Sequence, residues 1–478
     1  MAVRHSCYCG NFGKHDNTLV RRAHRFRKWV SALGVLYCLI SLSVGAPPAD
    51  EQPRCRVAVL ADKGAETFPA IPLLEMRLSQ QKSIDLIERQ NLAMIIEEQN
   101  LTALSSAGSC AARLKLGQLV HADLLLILTT RSAQPAVIRL VVSDTRQGLR
   151  LRAADMALST NLEADVEALV GDLEKARRKF MEDISLICAV PPMVSHNFTH
   201  NYDHLQSSYS HMLEEMLLDL PGTLVVDTEE ARAIGLEVTL RGGDVDRHLP
   251  VYLLGEFRFD TGNAQQPPVA RLALRQGERE LGVRQMDNPS PATMPAFLRR
   301  AALELLTLVT KGRMAEPDPQ TEAKELATRA RRFYEIGTYP EAAALAEASL
   351  LLQPGQAPMH RLAMSAHGRC AWAVSRKHLE AIALSELALE HAEPYLRMTR
   401  IDTYDETWAR LSNDLAMSLG GVGTPIPAPE VRQLYVTFRT HCRDVYRRVM
   451  EAKAREGTLD TQMAALLVMH WYVLLEET

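Results

Sequence analysis

The stretch His196-Asn197-Phe198-Thr199-His200-Asn201-Tyr202-Asp203-His204 gathers side chains suited to holding a metal ion. If a helix starts near Thr199, His200 and His204 lie one turn apart, the spacing at which two imidazoles can share a zinc ion. His211 falls on the same stripe but about 10 Å further along, too far to reach that ion. Leu205, Tyr209, Met212, Leu213 and Met216 form an apolar stripe on the opposite face, so the histidines are expected to face water. A surface metal site at His200 and His204 therefore competes with a plain solvated face. Gly242-Gly243-Asp244 and Gly420-Gly421-Val422-Gly423 do not sit between a strand and a helix, as phosphate loops do, and read as loops. Glu75 and Glu215 have no nucleophile or base at motif-like spacing, and G-x-S-x-G, H-E-x-x-H and Walker A patterns are absent. The expectation is a protein that is not an enzyme and needs no cofactor.

The elements that must carry these residues come in a repeating order. Arg56–Leu60 is a short apolar run of the buried-strand kind, followed by a helix around Leu73–Gln81. Ile84–Glu88 reads as a second strand and Arg89–Asn100 as a second helix. A third helix over Ala111–Leu119 precedes the strand Ala122–Leu128. Val137–Ser143 and Gly148–Ala153 form a hairpin across Asp144-Thr145-Arg146-Gln147, and Asn161 is placed to cap a closing helix over Leu162–Phe180. After Asp183 the order returns: strand Ile187–Val190, helix Leu205–Leu218, strand Thr223–Asp227, helix Glu229–Leu240 and strand Pro250–Arg258. A hairpin from Val269–Leu274 to Glu280–Arg284 follows, then a helix over Met294–Thr310 with Gly312 suited to its C-terminal cap. Two copies of one α/β unit are predicted, over 55–183 and 186–312.

At Leu86-Ile87-Glu88-Arg89, Leu92, Ile95-Ile96, Glu98-Gln99, Leu116-Gly117-Gln118-Leu119, Ala122-Asp123 and Asp144-Thr145 with Gly148, the chain resembles the curli-assembly lipoprotein family (CsgG). It is also similar to the periplasmic α/β domains related to the N-terminal part of TolB. The resemblance covers 55–180 by residues and 186–312 by pattern only. It implies tandem three-layer α/β domains in the cell envelope. Channel-forming members of the family have strands that leave the domain to build a membrane barrel. Each needs about 9–11 alternating residues, whereas the insertions near Asp62–Ile71 and Arg131–Pro135 are short and lack alternation. The third-strand glycine of the family is replaced by Leu128, although Gly255 supplies one in the second copy.

Beyond an acidic, proline-containing linker at 313–320, residues 321–478 read as an all-α domain. Leu326, Ala330, Phe333, Tyr334, Gly337, Tyr339, Ala342, Leu350, Leu352 and Pro354 stand where a tetratricopeptide repeat places its packing residues. One such repeat is clear. Amphipathic helices over His360–Ala373, His378–Ala392, Thr407–Leu419, Glu430–Arg455 and Thr458–Glu477 are expected to stack on it as divergent hairpins. Phe333, Tyr334, Gly337 and Tyr339 are the candidate partner-binding residues, with packing as their ordinary role.

Composition sets the outer limits. A chain of 478 residues with 47% hydrophobic and 23% charged residues suits several folded domains. A net charge of −4 and 5% aromatic residues argue against a nucleic-acid surface. The basic run Arg21–Lys28, the apolar run Val30–Ala46 and Pro47-Pro48 have the order of an export signal, so 1–49 is expected to be a signal peptide or an anchor. Val44 and Ala46 suit the cleavage positions, with a cut after Ala49 as the alternative. Of eight cysteines, Cys7, Cys9 and Cys38 lie in this segment. Cys55, Cys110, Cys188, Cys370 and Cys442 are odd in number and far apart, which fits buried thiols better than disulfides. These readings converge on a non-enzymatic scaffold or adaptor of the bacterial periplasm or envelope. It would bind a protein or peptide through its C-terminal helices, could form a homo-oligomer, and could associate with a membrane through its first segment. The rivals are a small-ligand or metal-binding receptor with its site between the α/β copies, a hydrolase with a scattered site, and a subunit of a secretion channel.

Overall fold

The computed structural model describes residues 54–87, 104–133, 136–197, 200–240, 248–260, 267–310, 314–374 and 377–398, with parts of 433–457. The architecture below is that of the unit Cys55–Thr478. The helix expected over Arg89–Asn100, most of the helices expected beyond residue 400, both glycine runs and Gly312 lie outside the described residues.

The fold is mixed α/β with two mixed sheets and many helices. Strand β1 (Cys55–Ala61) is buried at nearly every position, as a central parallel strand must be. It pairs in parallel with β2 (Ile84–Leu86) on one side and β3 (Leu124–Ala133) on the other. Antiparallel β4 (Ala136–Asp144) and β5 (Arg150–Ala157) complete the order β2-β1-β3-β4-β5. Helices α1 (Ala70–Ser79) and α3 (Leu162–Met181) share one buried cluster with this sheet, and α2 (Cys110–Val120) belongs to another. Asn161 caps α3, its side chain accepting the Ala164 N–H at 3.2 Å.

The second sheet has the corresponding order. β6 (Leu186–Ala189) lies between β8 (Thr223–Val225) and β9 (Val251–Arg258), both parallel to it, and β10 (Val269–Gln276) and β11 (Arg279–Asp287) follow antiparallel. Short β7 (Val194–Ser195) pairs beside β9 off this path. β9 alternates buried and half-buried residues along its length, the period-2 signature of a strand with two unlike faces. Helices α4 (Leu205–Leu218) and α6 (Met294–Leu306) pack on one face, while Ala231 and Ile234 of α5 (Thr228–Leu240) join the core of the first sheet. The two sheets thus share buried surface across residues 183–186 instead of each closing its own core.

Among the described residues that carry the family resemblance, Gly117, Asp144 and Gly148 do packing and turn work. Asp144 Oδ1 accepts the N–H groups of Gln147 and Gly148 at 2.7 and 2.9 Å, closing the turn between β4 and β5. Gly148 has φ +70°, and a Cβ there would lie 2.1 Å from the Cys110 carbonyl oxygen. A Cβ on Gly117 would strike Thr145 at 2.1 Å, so its absence lets α2 approach the sheet. Glu88, Arg89, Leu92, Ile95, Ile96, Glu98 and Gln99 lie outside the described residues.

Four helices follow: α7 (Pro319–Glu335), α8 (Tyr339–Leu352), α9 (Ala357–Ala373) and α10 (His378–Met398). Asp318 caps α7 by accepting the N–H groups of Gln320 and Thr321, with Pro319 at its first position. Gly337, at φ +80°, makes the turn into α8. Helix α8 is apolar nearly all round, and it is buried between α7, α9 and α4. The expected linker is tied down: Arg299 of α6 bonds Glu316, the Pro317 carbonyl and Glu322 of α7.

Candidate functional site

The polar groups that α8 buries define the site. Glu347 is 6% exposed in the apolar run Ala342–Leu352, where a lone carboxylate must be paired or bound to a cation. Helix α9 brings His360 and His367 to one face, seven residues or two turns apart, and α10 brings His391. His367 Nε2 lies 3.0 Å and His391 Nε2 2.6 Å from the same oxygen, Glu347 Oε1. The ligating atoms of the three lie within 4.8 Å of one another, and all three residues are buried. The His367 and His391 rings stack, with planes 1° apart and centroids at 5.9 Å.

The hydrogen bonds fix the protons. His360 Nε2 lies 2.9 Å from the Pro354 carbonyl oxygen, which can only accept, so that nitrogen carries a hydrogen. Burial, then the neighbouring His391, keep His360 below its ordinary pKa and hence neutral. Its Nδ1 must then accept, and His391 Nδ1, at 3.0 Å, must donate. The lone pair of neutral His391 is therefore on Nε2, pointed at the Glu347 carboxylate. Two electron-rich atoms at 2.6 Å require a positive charge between them. A proton serves in the ion-free protein: burial opposes it, but the Glu347 carboxylate raises His391 above its ordinary value. Burial alone would raise Glu347, yet the facing His391 and His367 hold it well below the usual carboxylate range.

Of the residues singled out from sequence, His204 belongs here and His200 is not brought beside it by a helical turn. Residues His200–Tyr202 form a 3-10 turn and the α-helix begins at Leu205, with His204 as its N-cap, so the two residues do not lie on one α-helix. His204 also does not face open water. Its ring stands perpendicular to that of His367 with centroids 6.2 Å apart, and burial pushes its pKa down to about 4. His204 Nδ1 and His367 Nδ1 are both buried without a hydrogen-bond partner. His211 bonds Glu214 at 2.9 Å, well apart from the cluster in its contacts.

Phe333 and Tyr334 pack partly buried against the helical core, and the Tyr334 and Tyr339 rings meet edge to face at 5.3 Å. Their contacts are those of a helical hairpin turn, completed by the Thr338 N–H donating to the Phe333 carbonyl at 3.0 Å. Phe333 also lines a cleft of ≈ 210 Å³ where the two sheets meet α7, near Arg150, Arg152, Asp227, Arg329 and Arg332. Each of those arginines already holds a carboxylate: Arg150 holds Asp227 and Glu230, Arg152 and Arg332 share Asp172, and Arg329 holds Glu215. The cleft between the α/β copies therefore offers a small ligand little uncommitted charge. Cys55, Cys110 and Cys188 are buried free thiols, Cys370 is partly buried and free, and Cys442 lies outside the described residues.

The sequence reading missed Glu347, His360, His367 and His391. The available signals were a single carboxylate in an alanine- and leucine-rich helix and a histidine pair at heptad spacing. Among the described residues, no helix is long and apolar enough to cross a membrane. Comparison with family models and with curated proteins yields no match for this chain.

Proposed function

We propose that this chain is a non-enzymatic scaffold or adaptor of the cell envelope, exported through its first segment. In this reading a duplicated α/β unit of the curli-assembly and TolB type holds a tetratricopeptide-like array that recruits a protein partner. The observation that carries it is the junction: α7 is fastened to both sheet regions by charge pairs from Asp172, Glu215 and Arg299. Such fastening suits a device that holds a bound partner at a fixed position, not a tethered helical domain free to tumble. The equal strand orders of the two sheets support duplication. At the tip where α9 leads to α10, Trp372 and Leu379 expose large apolar side chains (50% and 62%), the kind of anchor that partner surfaces use. Replacing both (Trp372→Ala with Leu379→Ser) should abolish cross-linking of the full chain to an envelope partner, while leaving its thermal melt within a few degrees. Unchanged cross-linking would overturn the assignment of that face.

A second reading, a metal-binding protein, is favoured by the convergence of Glu347, His367 and His391. The two are compatible, because an ion held there would tie together the helices that recruit the partner.

A further inference from the structure

We infer that Glu347, His367 and His391 form a binding site for one divalent first-row transition ion, Zn(II) being the best match, which staples helices α8, α9 and α10 together. The donor set is two imidazoles and one carboxylate, the borderline-soft combination that zinc takes and that calcium and magnesium do not. The three side chains come from three successive helices and point their ligating atoms inward to one place, all within 4.8 Å. Zinc bonds of about 2.0–2.2 Å in tetrahedral directions set ligand atoms roughly 3.3 Å apart. The observed 2.6 and 3.0 Å separations reach that value by opening about 0.7 and 0.3 Å.

The hydrogen-bond chain behind His391 is what distinguishes this cluster from an ordinary buried polar network. His360 Nε2 lies 2.9 Å from the Pro354 carbonyl oxygen and His360 Nδ1 lies 3.0 Å from His391 Nδ1, so the outer nitrogen of His391 is held in a hydrogen-bond chain while its inner nitrogen faces Glu347. That is the arrangement by which outer partners fix the tautomer and orientation of a metal-bound imidazole. His360 is in this sense a positioning residue. The site is closed: Glu347, His367, His391 and His360 are all buried, which fits a structural ion better than a catalytic one. His204, with its ring against His367 and its Nδ1 unpartnered, offers a further nitrogen beside the cluster. It stands at the start of α4, so a fourth ligand from it would also link the helical array to the second sheet.

The test uses the full mature chain, stripped with a chelator and titrated with Zn(II), and separately with Co(II) as a coloured stand-in. One ion per chain, a visible Co(II) absorption band typical of tetrahedral nitrogen and oxygen ligation, and a rise in melting temperature are expected. Glu347→Gln and His367→Gln, which preserve size, should each weaken binding at least a hundredfold, with folding checked by circular dichroism. His360→Ala should weaken it about ten- to a hundredfold without changing stoichiometry. His211→Ala, outside the cluster, should change nothing. If the wild-type chain binds no Zn(II) at micromolar concentration, the proposal fails, and no variant needs to fold for that result. It fails equally if one-to-one binding persists unweakened in the folded Glu347→Gln, His367→Gln double variant, since the ion would then sit on other residues. The partner-recruiting role stands or falls separately, on the Trp372 and Leu379 cross-linking.

Discussion

Two of the buried charge clusters among the described residues are built on opposite principles. Where the two sheets meet, Arg113 is wholly buried and places all five of its N–H donors: on Gly148 O, Leu104 O, Ser106 O, Cys110 Sγ and Glu230 Oε1. Glu230 answers with both oxygens, taking Arg113 and the Arg150 N–H on one and the Arg150 guanidinium on the other. That cluster is saturated and carries its own counter-charges. In the helical array, Glu347 meets two imidazoles through a single oxygen, and two ring nitrogens beside it, His204 Nδ1 and His367 Nδ1, lack partners. A saturated cluster is a fastener. An unsaturated one calls for something from outside.

Three experiments would break or sharpen that contrast. The largest effect is expected at the saturated cluster. Glu230→Ala leaves Arg113 as an uncompensated buried charge, which should cost about 3–5 kcal/mol of unfolding free energy in a denaturant titration, whatever metal is present. A loss below 1 kcal/mol would mean that Arg113 escapes to water and that the junction is looser than its bonds imply.

The unsaturated cluster should instead respond to solution conditions. Zn(II) at a hundred times its dissociation constant should add about 2.7 kcal/mol of stability, and a chelator should remove it again. Glu230→Ala and the wild type should gain the same increment, since the two clusters share no residue. A chelator that lowers the stability of both to different extents would show that the clusters are coupled.

The smallest effect is the acid response of the ion-free protein. His204 is held near pKa 4 in the folded chain against an ordinary 6.5, so the unfolded chain takes up its proton first. Stability present above pH 6.5 is therefore lost as pH falls from 6.5 toward 4, and neutral His360 acts in the same direction. His391, with its raised value, contributes its full share below 6.5, and the depressed Glu347 loses its share only in more acid solution, so neither masks the slope at pH 4.5–6.5. His204→Asn should flatten the decline of melting temperature over that interval by a few degrees, at roughly 1 °C per kcal/mol for a chain of this size. An unchanged slope would show that His204 meets water in the folded state.

The legibility of these features in the sequence follows the range of the interactions that make them. Helix α4 begins and ends at Leu205 and Leu218, as its pattern predicts, because a continuous apolar stripe within the segment itself marks it. The hairpin from β4 to β5 was equally open to reading, since Asp144 and Gly148 make its turn among themselves. His204 was noticed for its spacing from His200. Its pairing with His200 is a statement about one helix, whereas its actual company, His367, is brought by a helix 163 residues later in the chain. No local period encodes that meeting. Glu347 lay in plain view as the misfit in an apolar helix, but only the stacking of α8, α9 and α10 shows which histidines answer it.

Arg299 bears on how such a chain could have been assembled during evolution. Its guanidinium is buried in α6, yet the groups that neutralise it, Glu316, the Pro317 carbonyl and Glu322, all belong to the segment beyond the second sheet. A gene shortened at that point would leave a charge stranded in the core of what remained. The α/β pair and the helical array are therefore not interchangeable modules, and exchange of either part between lineages would have to carry position 299 and its three partners together.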